Sequence, residues 1–127
     1  MIVLDASAAI LALLNDGDAR RVLASEPVAV PHLVDSEVVH VLRSQVRRDA
    51  LSAEEARRAL SRWARLGMVR LGLHGVIDRM WALRSNLSAY DAGYVALAEA
   101  LDCTLLTADA RLARAPGPRC AITVIRR

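Results

Sequence analysis

Short apolar runs alternate along this chain with longer segments of helical period. Residues 2–5 read as a short, fully buried strand, and 6–14 as a helix ended by the turn-like Asn15-Asp16-Gly17-Asp18. Residues 19–25 fit a second short helix, and 28–30 a second buried strand closed by Pro31. Residues 33–48 form a long amphipathic helix, with Val34, Val38, Val41, Leu42 and Gln45 along one side. Ser52-Ala53-Glu54-Glu55 is a capping-box signature that opens a helix running to Leu66. A strand is expected over 68–71 and a helix over 76–84. The segment from Ser88 to Ala100 is apolar almost all round, which predicts a central helix. Strands over 103–106 and 121–125 close the pattern, with a short helix over 110–115 and the Pro116-Gly117-Pro118 turn between them.

Strands that alternate with helices imply an α/β domain: a parallel sheet of four to five short strands, covered by helices on both faces. Neither a repeat nor a linker interrupts residues 1–127, so a single domain is expected. In such sheets ligands collect beyond the carboxyl ends of the strands.

Composition narrows the picture. Hydrophobic residues make up 54% of the chain but aromatics only 3%, with no Phe, so Ala, Val, Leu and Ile must build the core. No apolar run approaches the ~18 residues needed to cross a membrane. Asp5 interrupts the apolar opening, which lacks a basic leader, so a cytosolic protein is expected. All 17 basic side chains are Arg, for a net charge of +3. Guanidinium forks match phosphate oxygens and permit a nucleic-acid partner, although codon bias explains the same composition. Cys103 and Cys120 both begin strand-like runs and read as buried free thiols.

Against this frame, four acidic residues stand out. Asp5 ends the opening run, Glu37 flanks the apolar stripe of the long helix, Asp91 lies in the nearly uncharged stretch 88–98, and Asp109 follows the apolar run 103–107. Asp5 and Asp109 fall just past strand ends; Glu37 and Asp91 fall early in helices that would enter from the same edge. Crowded carboxylates repel one another and imply a compensating cation. An all-oxygen donor set suits Mg²⁺ or Mn²⁺. Each acid also has a plainer reading. Asp5 and Asp109 can cap helices, and Ser88-x-x-Asp91 matches a variant capping box. Capping does not explain why Asp91 shares a helical line with Val95 and Ala98.

The remaining polar residues carry less. Asp16, Asp18, Asp49 and Asp102 fall in turns, Glu54, Glu55 and Asp78 look solvated, and Asp35 and Glu99 can each lie behind the acidic site, with exposure the plainer reading. Glu37-x-x-His40 has the spacing of a di-iron half-site, but no second copy exists. Arg58, Arg62 and Arg65 share one helix face, and Arg43 and Arg47 make a second pair. Both groups are candidate phosphate contacts or simply solvated faces.

The chain resembles a PIN domain, and specifically the VapC toxins of type II toxin–antitoxin pairs. The resemblance rests on Val3-Leu4-Asp5-Ala6-Ser7-Ala8, on Glu37 followed by Val41-Leu42-Arg43, on the run from Leu87 to Ala98, and on Leu106-Thr107-Ala108-Asp109-Ala110-Arg111-Leu112. It implies a PIN-like three-layer α/β/α fold and a Mg²⁺- or Mn²⁺-dependent endoribonuclease with one or two ions. Asp5, Glu37, Asp91 and Asp109 match the family's acidic quartet, with Ser7 and Thr107 as supporting hydroxyls. A homodimer silenced by a VapB-type antitoxin, with RNA as substrate, is implied as well. His40 departs from the family, where Asn often stands three residues after the Glu. A receiver domain would need a lysine, which this chain lacks. A haloacid-dehalogenase-like phosphatase would want Asp where Ser7 stands. The rival from another class is a PIN-like module that binds RNA or protein without cleaving.

Overall fold

The computed structural model describes residues 1–126. Five parallel strands form one sheet in the order β3-β2-β1-β4-β5, within the range the apolar runs predict. The strands are β1 (Ile2–Leu4), β2 (Val28–Pro31), β3 (Val69–Leu71), β4 (Thr104–Thr107) and β5 (Ile122–Val124). Every residue of β1 and β2 is buried. Successive strand side chains point to opposite faces, so complete burial requires cover on both.

Among the described residues seven helices supply that cover: α1 (Ala6–Leu14), α2 (Asp18–Ser25), α3 (Leu33–Arg47), α4 (Ala53–Arg65), α5 (Ile77–Ala82), α6 (Ala89–Ala100) and α7 (Ala110–Arg114). Helix α6 crosses β1, β2 and β4 and is backed by α5, whereas α1 gathers α2, α3 and α4 into a second group. The all-round apolar pattern of 88–100 is explained by that central position, since Ala92 through Ala98 are all buried. Helix α5 is shorter than expected. A 3₁₀ turn at His74–Val76 takes up its predicted start. At its end the Leu83 amide is shared between the Arg79 and Met80 carbonyls, which tightens the last turn.

Local signals are used as written. Ser52 and Glu55 complete a reciprocal capping box at α4. Asp49 and Asp102 adopt left-handed turn conformations, with φ of 57° and 51°, which short carboxylates tolerate better than most side chains. Both cysteines are free and half-buried. Among the described residues no helix is long and apolar enough to cross a membrane.

Three long-range contacts correct the plainest readings. Asp35 is not a free surface acid: Arg70 grips it through Nε at 2.7 Å and Nη2 at 2.9 Å, and Trp63 Nε1 donates to it at 2.7 Å. Glu99 is likewise tied down, by Arg79 Nε at 2.6 Å and by the Arg119 amide at 2.7 Å. The Arg58, Arg62 and Arg65 face is divided. Arg62 donates to the Leu13 carbonyl at 2.8 Å and caps the end of α1, while Arg58 leans on Glu54. Arg43 and Arg47 make no hydrogen bond or ion pair with the described residues and stay exposed.

The sheet order sets the position of the site. From β1 the chain proceeds outward through β2 and β3, then returns to the other side of β1 with β4 and β5. The direction of winding therefore reverses between β1 and β4. A crevice opens at such a switch point, beyond the carboxyl ends of the strands.

Candidate active site

Asp5 follows β1 directly and is the deepest of the four acids, only 5% exposed. It caps α1 by accepting from the Ala8 amide at 2.9 Å, so the capping explanation holds for one bond. It does not account for the rest. Oδ1 also accepts from the Ser7 hydroxyl at 2.6 Å, and Oδ2 from the Thr107 hydroxyl at 2.5 Å. Thr107 is fully buried and in turn accepts from the Asp109 amide at 3.0 Å. Ser7 accepts from the Ala108 amide at 2.9 Å. Both hydroxyl protons are spent on Asp5, so the 3.2 Å approach of Ser7 to Thr107 is a contact rather than a third strong bond. Two hydroxyls thus stitch the loop after β1 to the loop after β4.

Glu37 projects from the first turns of α3 and is fixed by Tyr94, whose phenol donates to Oε1 at 2.6 Å. The sequence reading missed Tyr94. Its signal was present: a tyrosine three residues beyond Asp91, in a helix otherwise apolar, places a hydroxyl that must find a partner when buried. Asp91 stands at the third residue of α6. The Ser88 hydroxyl accepts from its amide at 3.2 Å, but the Ser88 amide donates no bond back to the Asp91 carboxylate, so only half of the capping box is made. Asp109 caps α7 through the Arg111 amide at 2.9 Å and meets the Arg111 guanidinium at 3.3 Å. It lies on the rim.

Electrostatics bind the four into one group. Burial raises the pKa of Asp5 above the usual carboxylate range despite its three hydrogen bonds, and Asp109 adds repulsion. Burial also raises Glu37, with Asp5 and Asp91 repelling it further. Asp91 is raised by burial and then by Asp5 and Asp109. Asp109 alone is lowered, because Arg111 bonds to it. Arg111 and Arg114 act on Asp109 and Arg111 on Asp91, whereas the carboxylates that act on Asp5 and Glu37 only repel them.

Among the described residues no three His, Cys, Asp or Glu side chains converge closely enough to form a ready-made ligand set. The donor chemistry nevertheless fits a hard divalent ion. The donors are oxygens, they repel one another, and Mg²⁺ keeps several waters and needs only one or two carboxylates directly.

The Tyr94 bond gives a direct test of how Glu37 is held. Tyr94→Phe should keep the core volume and cost about 1 kcal/mol of stability, the worth of one hydrogen bond. It should weaken divalent-ion binding by about 10-fold, as loss of a group that orients a ligand does. Denaturant unfolding and Mn²⁺ titration measure the two effects separately.

Comparison with known proteins follows this geometry. The PIN domain family matches residues 2–118. The ribonuclease VapC9 of Mycobacterium tuberculosis is 56% identical over 127 residues, which is 100% of both chains. Ribonuclease VapC1 of the same organism is 45% identical over 130 aligned residues, covering 98% of this chain and 97% of that one. Among solved structures, the Rickettsia felis VapBC2 complex bound to a promoter DNA fragment overlays with a TM-score of 0.70 at 16% identity, covering 99% of this chain and 100% of its counterpart.

Proposed function

The chain belongs to the PIN-domain family, in its VapC branch, and on that premise we propose that it is a metal-dependent endoribonuclease, the toxin of a toxin–antitoxin pair. The observation that best supports this reading is the mutual repulsion among Asp5, Glu37, Asp91 and Asp109 near the switch point of the sheet, which only Arg111 and Arg114 relieve, at its edge. The names of the relatives point to RNA as the substrate and to a VapB-type antitoxin as the partner. A homodimer acting in the cytoplasm completes the proposal.

One or two divalent ions, Mg²⁺ or Mn²⁺, would be held by the acidic quartet. Such an ion makes water a better nucleophile at neutral pH and stabilises charge on the phosphate oxygens. The chain's own residues do the rest. Asp5, locked by Ser7, Thr107 and the Ala8 amide, is the rigid base of the site. Glu37, held by Tyr94, and Asp91, whose amide is anchored on Ser88, bring charge from two helices. Asp109 and Arg111 form the rim, where the guanidinium meets an approaching phosphate. In-line attack by water leaves a 5′-phosphate and a 3′-hydroxyl.

Incubating the protein with structured RNA in Mg²⁺, Mn²⁺ or chelator tests this reading. Cleavage is expected with either metal, with those end groups, and none in chelator. RNA retained but never cut under any of these conditions would favour a non-catalytic binding module.

Stability should depend on pH in an unusual direction. The folded pKa values of Asp5, Glu37 and Asp91 are raised, so the folded state binds protons that the unfolded chain has released. Unfolding free energy from this cluster then falls as pH rises from about 4 through the raised values. Asp35, Glu99 and Asp109 have lowered values, and their contribution is lost only as pH falls below about 4. In chelator the melting temperature is therefore expected to rise as pH drops through the raised values towards about 4, and Mg²⁺ should flatten that slope. A slope identical in chelator and Mg²⁺ would mean that the cluster binds no ion.

A further inference from the structure

Resting on the ribonuclease reading, we propose that the groove between Tyr90 and α3 is a subsite for one unpaired nucleobase of the RNA, next to the scissile phosphate. The chain has two Trp and two Tyr, and their surroundings differ. Trp63 and Tyr94 are buried and spend their polar atoms on Asp35 and Glu37. Trp81 has a ring face covered by the Arg84 guanidinium, 4.5 Å from the centroid. Tyr90 is 60% exposed and makes no ring contact among the described residues, and it immediately precedes Asp91.

Tyr90 lines a groove of about 420 Å³ with Leu33, Ser36, Glu37, His40 and Val41, within the size range of small-ligand sites. Glu37 belongs to both the groove and the acidic quartet, so the groove is continuous with the proposed catalytic cluster. A second depression of about 400 Å³ shares Ser36 and His40 with it and extends along α3 to Arg43.

The chemistry of this track matches a nucleotide and not a stretch of duplex. An aromatic face beside apolar Leu33 and Val41 accepts a neutral base without meeting the repulsion that the carboxylates impose on phosphate. The Ser36 hydroxyl and the His40 imidazole offer hydrogen bonds to base edges. Arg43, unpaired and exposed, stands where the track ends and can take a flanking phosphate. Unpaired bases stacked on aromatic side chains are the usual basis of single-stranded RNA recognition.

The test uses RNA carrying 2-aminopurine at single loop positions, bound with Mg²⁺ to the Asp91→Asn protein so that the RNA survives. At one position fluorescence should be quenched on binding. Adding Tyr90→Ala should abolish that quenching and weaken binding about 5- to 150-fold, the range for loss of one base–aromatic stack. Tyr90→Phe should retain both. Arg43→Gln should reduce the salt dependence of binding by about one counterion. With Asp91 intact, Tyr90→Ala should relax base preference at one position beside the cut in a randomised-loop RNA pool. Cleavage with unchanged preference, and unchanged quenching, would overturn the subsite while leaving the ribonuclease standing. Loss of self-association or of antitoxin binding, with RNA recognition intact, would overturn it in favour of a protein occupant. Failure of the wild type to bind or cut any RNA would remove the ribonuclease reading and the subsite with it.

Discussion

Asp91→Asn is expected to lower RNA cleavage in Mg²⁺ on the order of 10²- to 10³-fold, the effect of deleting one group that stabilises charge in a transition state. The same change should raise the melting temperature in chelator. This pairing of outcomes follows from the surroundings of Asp91. Its carboxylate is repelled by Asp5 and Asp109 and is raised first of all by burial. The bond that anchors the helix end at this position uses the Asp91 amide, not the side chain. Neutralising the side chain therefore removes a penalty from the metal-free fold and leaves the cap in place. Paired cleavage assays and thermal melts decide the matter: activity lost together with stability would assign Asp91 a structural role instead.

Asp5 gives a less clean test, because it accepts three hydrogen bonds in a buried network. Its neighbour Thr107 is the better probe of that network. Thr107→Val conserves volume but removes the donor to Asp5 and the acceptor for the Asp109 amide. Asp5 Oδ2 and the part-buried Asp109 amide each lose their partner, at a combined cost of about 2–4 kcal/mol. For a domain of this size that corresponds to a fall in melting temperature of roughly 10 °C. Cleavage should fall as well, since the loops after β1 and β4 lose one of their two cross-links and Asp5 its fixed orientation. Thr107→Ser keeps the hydroxyl and should restore cleavage, while losing about 1 kcal/mol for the missing methyl group. Equal activity in the Val and Ser variants would show that the network does not position Asp5.

Much of this architecture was legible in the residues. Strands buried on both faces are written as short apolar runs such as Ile2-Val3-Leu4, and helices as longer periodic segments. Both signals are local, as are the caps at Ser52 and Ser88. The alternation of the two then dictates a parallel sheet, and the parallel sheet dictates a shared carboxyl edge. That is why Asp5, Glu37, Asp91 and Asp109 pointed to a single crevice before any contact was known, and why the PIN-like resemblance agreed with them.

Other features were settled only in three dimensions. Depth was one: Asp5 and Asp109 each cap the helix that follows their strand, yet one is buried and the other lies on the rim beside Arg111. The partners of polar residues were another. Glu37 meets Tyr94 across 57 residues of sequence, Thr107 meets Asp5 across 102, and Arg62 meets the end of α1 across 49. Asp35, which looked like a surface acid, is held by Arg70 and Trp63 from two other elements. Apolar burial has no direction and needs only the right period, so the pattern of one segment announces it. A hydrogen bond needs a particular atom within about 3 Å along a particular line, and the sequence of one segment says nothing of which distant segment will bring that atom.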